Sequence, residues 1–401
     1  MFCIPINLGW RFEQYHCFII NMVKGTAPVF FSGKLIFGCI MFSLIKILSQ
    51  TCVPSLDGST SEGKCPTGYV KFERPVFSAF VMVGSMSIAM VFYFLCRYNK
   101  QGAAKPSRKM YAYVMVPALL DAICVSILMV GTLYIPMSLT MTLKGMRIVY
   151  STVLVILIFK RKQRSFNWFG LGLAMAGVGL ASLSAVLNNP HLGESCLIGV
   201  GLVLLSEFVR SLMVVSEEYL MKRMHCDPFF IIGLQGFWGM CILGVALVLS
   251  WLVIPGKDSG GSWENLESTI KLASESNAVI SFLSVLPVII AAHFMCSVMV
   301  TKLLSSVHNA MASVLMTALV WLIEMFTYYR VDSRLGNAWG PYSALQLVGF
   351  ALVVVALLVY DGTIVRIPRL FTYEQQSGEK NIADEEEEDE PSSHKTTMIP
   401  S

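Results

Sequence analysis

Residues 138–159 read SLTMTLKGMRIVYSTVLVILIF, an apolar run long enough to cross a bilayer core of about 30 Å as a helix of roughly 20 residues. Near its middle it carries Lys144 and Arg147. An ionisable group at mid-membrane costs at least about 2.5–3.5 kcal/mol on insertion scales, so both cations must face protein or a water-filled cavity rather than lipid. Three residues apart, they share one helix face, with Gly145 between them and Ser138, Thr140 and Thr142 adding polar atoms upstream. Two adjacent like charges are tolerable only opposite an anion or a carboxylate. The stretch therefore reads either as an anion-binding wall or as one side of buried ion pairs that fix helix packing.

The rest of the chain agrees with a membrane setting. It is 55% hydrophobic and 14% charged, against roughly 45–50% and about 25% in soluble domains, and such an excess of apolar surface needs lipid to cover it. Scanning for spans gives ten, near Val29–Ile47, Val76–Cys96, Tyr111–Leu133, Ser138–Phe159, Trp168–Leu187, Leu197–Tyr219, Phe229–Ile254, Val279–Leu304, Val307–Tyr329 and Tyr342–Tyr360. With both termini cytosolic, the short inside segments hold fourteen Lys and Arg and the outside loops seven, a bias carried by RYNKQGAAKPSRK and KRKQR. The expected fold class is all-α integral membrane, with ten transmembrane helices as two inverted five-helix repeats, because a half with an odd number of spans inserts upside down relative to its twin. The expected domains are a cytosolic N-terminal segment (1–28), a first half (29–187), a second half (188–360) and a cytosolic disordered tail (361–401). MVKGTAPVF from Met22 looks more like a natural start than Met1.

FGLGLAMAGVGLASL (169–183) leaves little side chain on much of its surface, so it reads as a packing helix; its glycines follow no strand and support no nucleotide-binding fingerprint. The eleven cysteines show no C-x-x-C and no Cys/His cluster at metal spacing, so no metal site and no cofactor are expected. Cys52 and Cys65 flank a polar outside loop, where a disulfide and two unpaired thiols are equally open, with Cys196 a third candidate on that side.

Six mid-span charges stand out: Asp121, Lys144, Arg147, Glu207, Arg210 and Glu324. Asp121 and Glu207 are the candidate carboxylates opposite the two cations. Glu207 and Arg210, three apart, are expected to pair along their own helix. Glu217 and Glu218, followed by Lys222 and Arg223, are placed at an exposed cytosolic mouth, where they would form a gate. His293 could relay protons, or be held by a hydrogen bond to a neighbouring helix.

At PALLDAICVSILMVGTLYIPMSLTMTLKGMR (117–147) and FNWFGLGLAMAGVGLAS (166–182), with SEEYLMKRMHCDP, TKLLSS and LQLVGF as further landmarks, the chain resembles the drug/metabolite transporter superfamily, specifically solute carrier family 35 subfamily F and its EamA-type relatives. The likeness runs from about Gly33 to Gly362. It implies a ten-helix carrier with inverted repeats of five, distantly related to nucleotide-sugar transporters and the chloroquine-resistance transporter. On this resemblance Asp121 matches an acidic position, Lys144 stands where an Arg usually precedes a Gly, and Glu217 with Glu218 match paired acids. Where relatives carry charges in the ninth span this chain has Ser313 and Met316, while Arg147 and Arg210 are additions.

The expected function is a secondary transporter moving a small organic, anionic metabolite by alternating access across an intracellular membrane, with Lys144, Arg147, Asp121, Glu207 and Arg210 contacting substrate. Asp121 would pair with the cations when the site is empty. The expected partners are the lipid bilayer and a small-molecule substrate, with no nucleic acid and with a homodimer allowed. An endomembrane, lysosomal or Golgi rather than plasma membrane, is the expected location; no N-x-S/T sequon falls in an outside loop. The alternative is a membrane scaffold recruiting partners through its loops and the acidic run 384–390. An enzyme is not expected, since no nucleophile–base spacing, H-E-x-x-H or P-loop appears.

Overall fold

The computed structural model describes residues 9–55, 65–66, 68–72, 74–99, 108–132, 134–135, 137–160, 165–188, 195–256, 262–331 and 338–360. The acidic tail lies outside the described residues. Among the described residues, ten helical segments are long and apolar enough to span a membrane, and each matches an expected span.

The first span belongs to α1 (Gly9–Gln50), which begins upstream of the expected boundary. The second is broken into α2 (Pro75–Ser85) and α3 (Ile88–Asn99), and the third is α4 (Arg108–Thr132). The fourth, the stretch that carries Lys144 and Arg147, is also interrupted. It runs as α5 (Met137–Leu143), a 3-10 turn at Lys144–Met146, and α6 (Arg147–Phe159). The remaining spans are α7 (Ser165–Leu187), α8 (Ser195–Lys222), α9 (Pro228–Leu252), α11 (Asn277–Leu303), α12 (Ser306–Arg330) and α13 (Ser343–Tyr360). Between α9 and α11 lies a short amphipathic helix, α10 (Leu266–Glu275), too polar for a hydropathy scan to register.

The helices pair in a pattern that repeats on adding five to the span number. Spans 5 and 10 pack along each other, as do spans 2 and 7; spans 3 and 6 are matched by spans 1 and 8, and spans 4 and 6 by spans 1 and 9. Spans 5 and 10 meet backbone to backbone. A Cβ on Gly177 would sit 2.6 Å from the Gly349 carbonyl oxygen, and one on Gly349 would sit 2.6 Å from that of Gly177, so only glycine lets the two backbones meet. Gly172 and Gly179 on the same helix face open space. The packing role expected for this segment thus belongs to one of its faces. The break in span 2 lies at a similar close approach: a Cβ on Gly236 of α9 would lie 2.4 Å from the Ser87 nitrogen, so the Met86–Ser87 joint is pressed against α9.

Large apolar side chains on the outer surface, among them Phe94, Leu157, Phe169, Leu252, Val288 and Phe326, are exposed. A band of this extent is what lipid covers in a multi-pass membrane protein.

One end of the bundle is capped. Strands β1 (Cys52–Pro54) and β2 (Tyr69–Lys71) form an antiparallel hairpin pairing Cys52 with Lys71, a small exception to the all-α expectation. Cys52 and Cys65 are joined in a disulfide, with Cα atoms 5.8 Å apart, and Cys196 is free. Val53 and Phe72 of the hairpin region bury themselves with Leu272 of α10 and Val279 of α11. Glu264, from the segment before α10, accepts hydrogen bonds from Val76 N and Phe77 N, both 2.9 Å. Pro75 opens α2 with no N–H of its own, so Glu264 satisfies the first free donors of that helix from a residue 188 positions away.

Candidate functional site

The charges that a bilayer would repel meet inside the bundle, where α1, α4, the α5–α6 joint, α8 and α12 come together. Arg147, at the start of α6, places Nε 2.8 Å and Nη2 2.6 Å from the same oxygen, Oε2 of Glu207 on α8. One helical turn along α8, Arg210 places Nη1 2.8 Å from Oδ1 of Asp121 on α4. Glu207 and Asp121 are buried almost completely. Glu207 and Arg210 therefore do not pair along their own helix as expected. Each finds an opposite charge on a neighbouring span, which buries both pairs at helix–helix contacts. Asp121 likewise pairs with Arg210 instead of Lys144 or Arg147.

Lys144 and Arg147 part company in space. The 3-10 turn tightens the chain between them, and Gly145 within it lies against Val178 of α7, whose Cγ2 would be 2.3 Å from an added Cβ. Arg147 then reaches α8, while Lys144 turns to α1: its Nζ lies 5.1 Å from the centroid of the Phe42 ring and 3.4 Å from Met141 Sδ. A cation over an aromatic face is held electrostatically without being neutralised. Among the described residues Lys144 has no carboxylate partner.

A further buried charge was not singled out in the sequence. Lys34 of α1 is 1% exposed, and its ammonium donates to the Asn309 carbonyl oxygen at 2.6 Å, to Asn309 Oδ1, and to Ser313 Oγ at 2.9 Å. Asn309 is braced in turn: Ser297 Oγ donates to its Oδ1 at 3.0 Å and its Nδ2 donates to Thr301 Oγ1 at 2.8 Å. Three neutral acceptors satisfy all three N–H donors of Lys34, yet no carboxylate cancels its charge. Ser313 is one of the two positions where the resemblance had charges missing from span 9, so the neutral side chain there is the one that receives this lysine. His293 of α11 lies alongside, its Nδ1 donating to the Lys34 carbonyl at 3.1 Å; the hydrogen-bonded alternative for this histidine is the observed one.

Glu217 and Glu218 are not at an exposed mouth. They are 3% and 0% exposed. Glu218 accepts from Lys222 Nζ at 2.9 Å and from Ser306 N, the first residue of α12, at 2.8 Å, while Lys222 also donates to the Leu304 carbonyl just past α11. A carboxylate at one helix N-terminus and an ammonium at another's C-terminus suit both dipoles, so the pair clamps the α11–α12 turn. Glu217, one residue earlier, faces inward. Glu324 pairs with Lys46 at 2.8 Å, both partly exposed, near the capped end of the bundle and away from the central charges.

Among the described residues, four cations (Lys34, Lys144, Arg147, Arg210) and three carboxylates (Asp121, Glu207, Glu217) thus meet in the middle of the bundle, drawn from four spans. Two of the cations, Lys34 and Lys144, are held by neutral groups alone.

No family model matches the chain. It is similar to solute carrier family 35 member F6 of Rattus norvegicus, 24% identical over 340 residues, covering 81% of this chain and 88% of that one. The human protein of the same name is 24% identical over 318 residues, covering 76% and 83%. An uncharacterized protein of Schizosaccharomyces pombe is 24% identical over 284 residues, covering 69% and 83%. A solved crystal structure superposes on 86% of this chain and 99% of its own with a TM-score of 0.54 at 10% identity, which is a likeness of fold.

Proposed function

We propose that this chain, a multi-pass membrane protein like solute carrier family 35 member F6, is a secondary transporter that binds a small organic anion between two inverted five-helix halves. The observation that carries the reading is the pair of interior cations without carboxylates, Lys144 over Phe42 and Lys34 against Asn309 and Ser313. An uncompensated charge in low dielectric is costly, and an anionic ligand is the partner that would relieve it. Arg147 and Arg210, already neutralised by Glu207 and Asp121, serve in this reading as the frame that fixes α8 against α4 and α6. Lys34 therefore joins Lys144 in the site, and direct contact by the two arginines is secondary.

The two-half reading is supported by the pairing pattern, since contacts that recur on adding five to the span number are those expected of exchanged repeats. We assign the capped face, with its disulfide, to the lumen of an endomembrane, and both termini to the cytosol; the two-to-one excess of basic residues on the other face favours that orientation.

Ligands that bind only the folded state raise its unfolding midpoint. Purified protein is to be heated against nucleotides, nucleotide sugars, amino acids and organic acids. An anion that stabilises wild type but neither Lys144→Met nor Lys34→Met supports the site. Equal stabilisation of wild type and both variants would refute it.

A further inference from the structure

Lys34, Gly38, Phe42 and Lys46 recur at four-residue spacing along one stripe of α1. On α12, Asn309, Ser313, Met316, Val320 and Glu324 recur every three or four residues. The two helices run parallel and in step, so their contacts climb together. Lys34 donates to the Asn309 carbonyl and to Ser313 Oγ. A Cβ on Gly38 would run into Met316 Sδ and come within 2.9 Å of His293 Nδ1. Phe42 packs beside Cys39 against Met316 and Val320, and Lys46 Nζ lies 2.8 Å from Glu324 Oε1. At 1.5 Å of rise per residue the two lysines stand about 18 Å apart along α1, one on each side of the Gly38 contact.

The halves of this seam are unequal. On the side of Gly38 away from the cap, the buried Lys34 ammonium is tied to Asn309 and Ser313, and hydrogen bonds from a charged donor out of water are strong. On the capped side the polar contact is Lys46–Glu324, with side chains 26% and 21% exposed, and an ion pair open to water contributes little. The apolar contact there is small as well, with Cys39, Met316 and Val320 as its buried members. Another flank of the same stretch of α1 is held more firmly. Met41 and Leu48 are buried together with Val53 and Phe72 of the cap and Leu286 and Ile290 of α11, and stabilisation grows with the apolar area removed from water. Opening the bundle at its capped face therefore parts α1 from α12 and carries α1 away with α11 and the cap.

Behind that half of the seam stands Lys144. The 3-10 turn at Lys144–Met146 packs against α12, and Lys144 Nζ lies 5.1 Å from the centroid of the Phe42 ring. Phe42 thus touches both the seam and the cation. Parting the helices on the capped side of Gly38 withdraws the ring, and with it the electrostatic hold on the ammonium, which is left facing water from that side.

We propose that the capped half of the α1–α12 seam is a gate over Lys144, latched by Lys46–Glu324 and pivoting at Gly38. That an anion passes through it rests on the carrier reading; the gate itself does not.

The test is the rate at which Cys39, 7% exposed and seated on the seam, reacts with a small water-soluble methanethiosulfonate in the full-length protein in detergent, followed by peptide mass mapping so that each cysteine reports separately. Lys46→Met and Glu324→Gln should each speed the reaction of Cys39 about two- to fivefold, the range for loss of a partly exposed ion pair. Cys124, buried on α4 away from the seam, should keep its wild-type rate. Exchanging the charges, Lys46→Glu with Glu324→Lys, should return Cys39 to the wild-type rate, which a merely loosened fold would not do. An unchanged Cys39 rate in both single variants would overturn the proposal, as would equal acceleration of Cys124 or an exchange variant as fast as the single ones. Anion binding is scored separately, by the unfolding midpoint. If Cys39 responds as expected and no anion stabilises wild type, the gate is supported and the carrier reading falls.

Discussion

The Arg147–Glu207 pair allows structural and functional roles to be separated in one experiment. Glu207 is 1% exposed at its side chain and Arg147 14%, and two guanidinium nitrogens converge on one carboxylate oxygen at 2.6 and 2.8 Å. Arg147→Met leaves a buried carboxylate with no cation in contact, and Glu207→Leu leaves a buried guanidinium. Breaking a buried pair from one side costs about 3–5 kcal/mol in water-soluble proteins. In bilayers neutral interhelical bonds average only about 0.6 kcal/mol and reach about 1.7, since the unfolded reference also finds partners. Between those limits the coupling energy of this pair is expected at about 2–4 kcal/mol. The double variant should regain most of the loss, because two apolar side chains of similar bulk owe nothing to desolvation. The assay is a double-mutant cycle by equilibrium unfolding in mixed micelles, run beside anion binding on the same four proteins. A coupling energy below about 0.6 kcal/mol would refute the claim that the pair is desolvated and mutually dependent. A stable double variant that binds no anion would return Arg147 to the binding wall.

Other expectations follow from single contacts. Gly177→Ala should destabilise by about 1–3 kcal/mol, since its Cβ would meet the Gly349 carbonyl oxygen, whereas Gly172→Ala and Gly179→Ala face open space and should be neutral or slightly stabilising; unfolding of the three variants side by side tests this. Glu264→Ala removes the acceptor for Val76 N and Phe77 N and should cost about 0.5–2 kcal/mol, with faster hydrogen exchange confined to the start of α2. Breaking the Cys52–Cys65 bond, whose cysteines are 13 positions apart, should cost about 3 kcal/mol; in sealed vesicles of cytosolic-side-out orientation those thiols should resist an impermeant maleimide until the membrane is opened. Labelling of reduced Cys52 or Cys65 in intact vesicles would reverse the assigned orientation.

Span number and class were legible because hydropathy over 20 residues is a sum, and local errors average out in it. The interruptions were not. The 3-10 turn at Lys144–Met146 contains no proline, and what holds it is Gly145 pressed on Val178, a contact made by a different span. The charged pairs show the same limit. Glu207 and Arg210 have the spacing of a helix pair, but α8 packs against both α4 and α6, each offering an opposite charge, and tertiary geometry decided the partners. Lys34 lies in the first third of its span, where a long side chain can snorkel to the interface, and nothing local in the sequence marks it as buried. What distinguishes it is Asn309, 275 residues away. Glu264 at the start of α2 and the burial of Glu218 against α12 are likewise set by residues far apart in sequence.

The pairing of spans gives these separate contacts a common logic. Span 6 is tied to spans 3 and 4 by Arg210–Asp121 and Arg147–Glu207, and span 1, its counterpart five positions earlier, is tied to spans 8 and 9 by His293 on the Lys34 carbonyl and by Lys34 on Asn309 and Ser313. The positions correspond, but the chemistry does not. Ion pairs broken one side at a time lose about 3–5 kcal/mol each, and hydrogen bonds from a charged donor to neutral acceptors about 1.5–3. Separating span 6 from its neighbours therefore exposes two buried pairs, whereas separating span 1 parts the partly exposed Lys46–Glu324 pair, of the kind worth about 0–1 kcal/mol, and frees one buried cation whose partners are neutral and whose charge is already uncancelled. If the halves rock against each other, span 1 is the arm that moves at lower cost, and an anion arriving beside Lys34 would replace Asn309 and Ser313 as its partner. Substrate would then compete for the contact that holds span 1 in place, which couples binding to the motion without any additional switch.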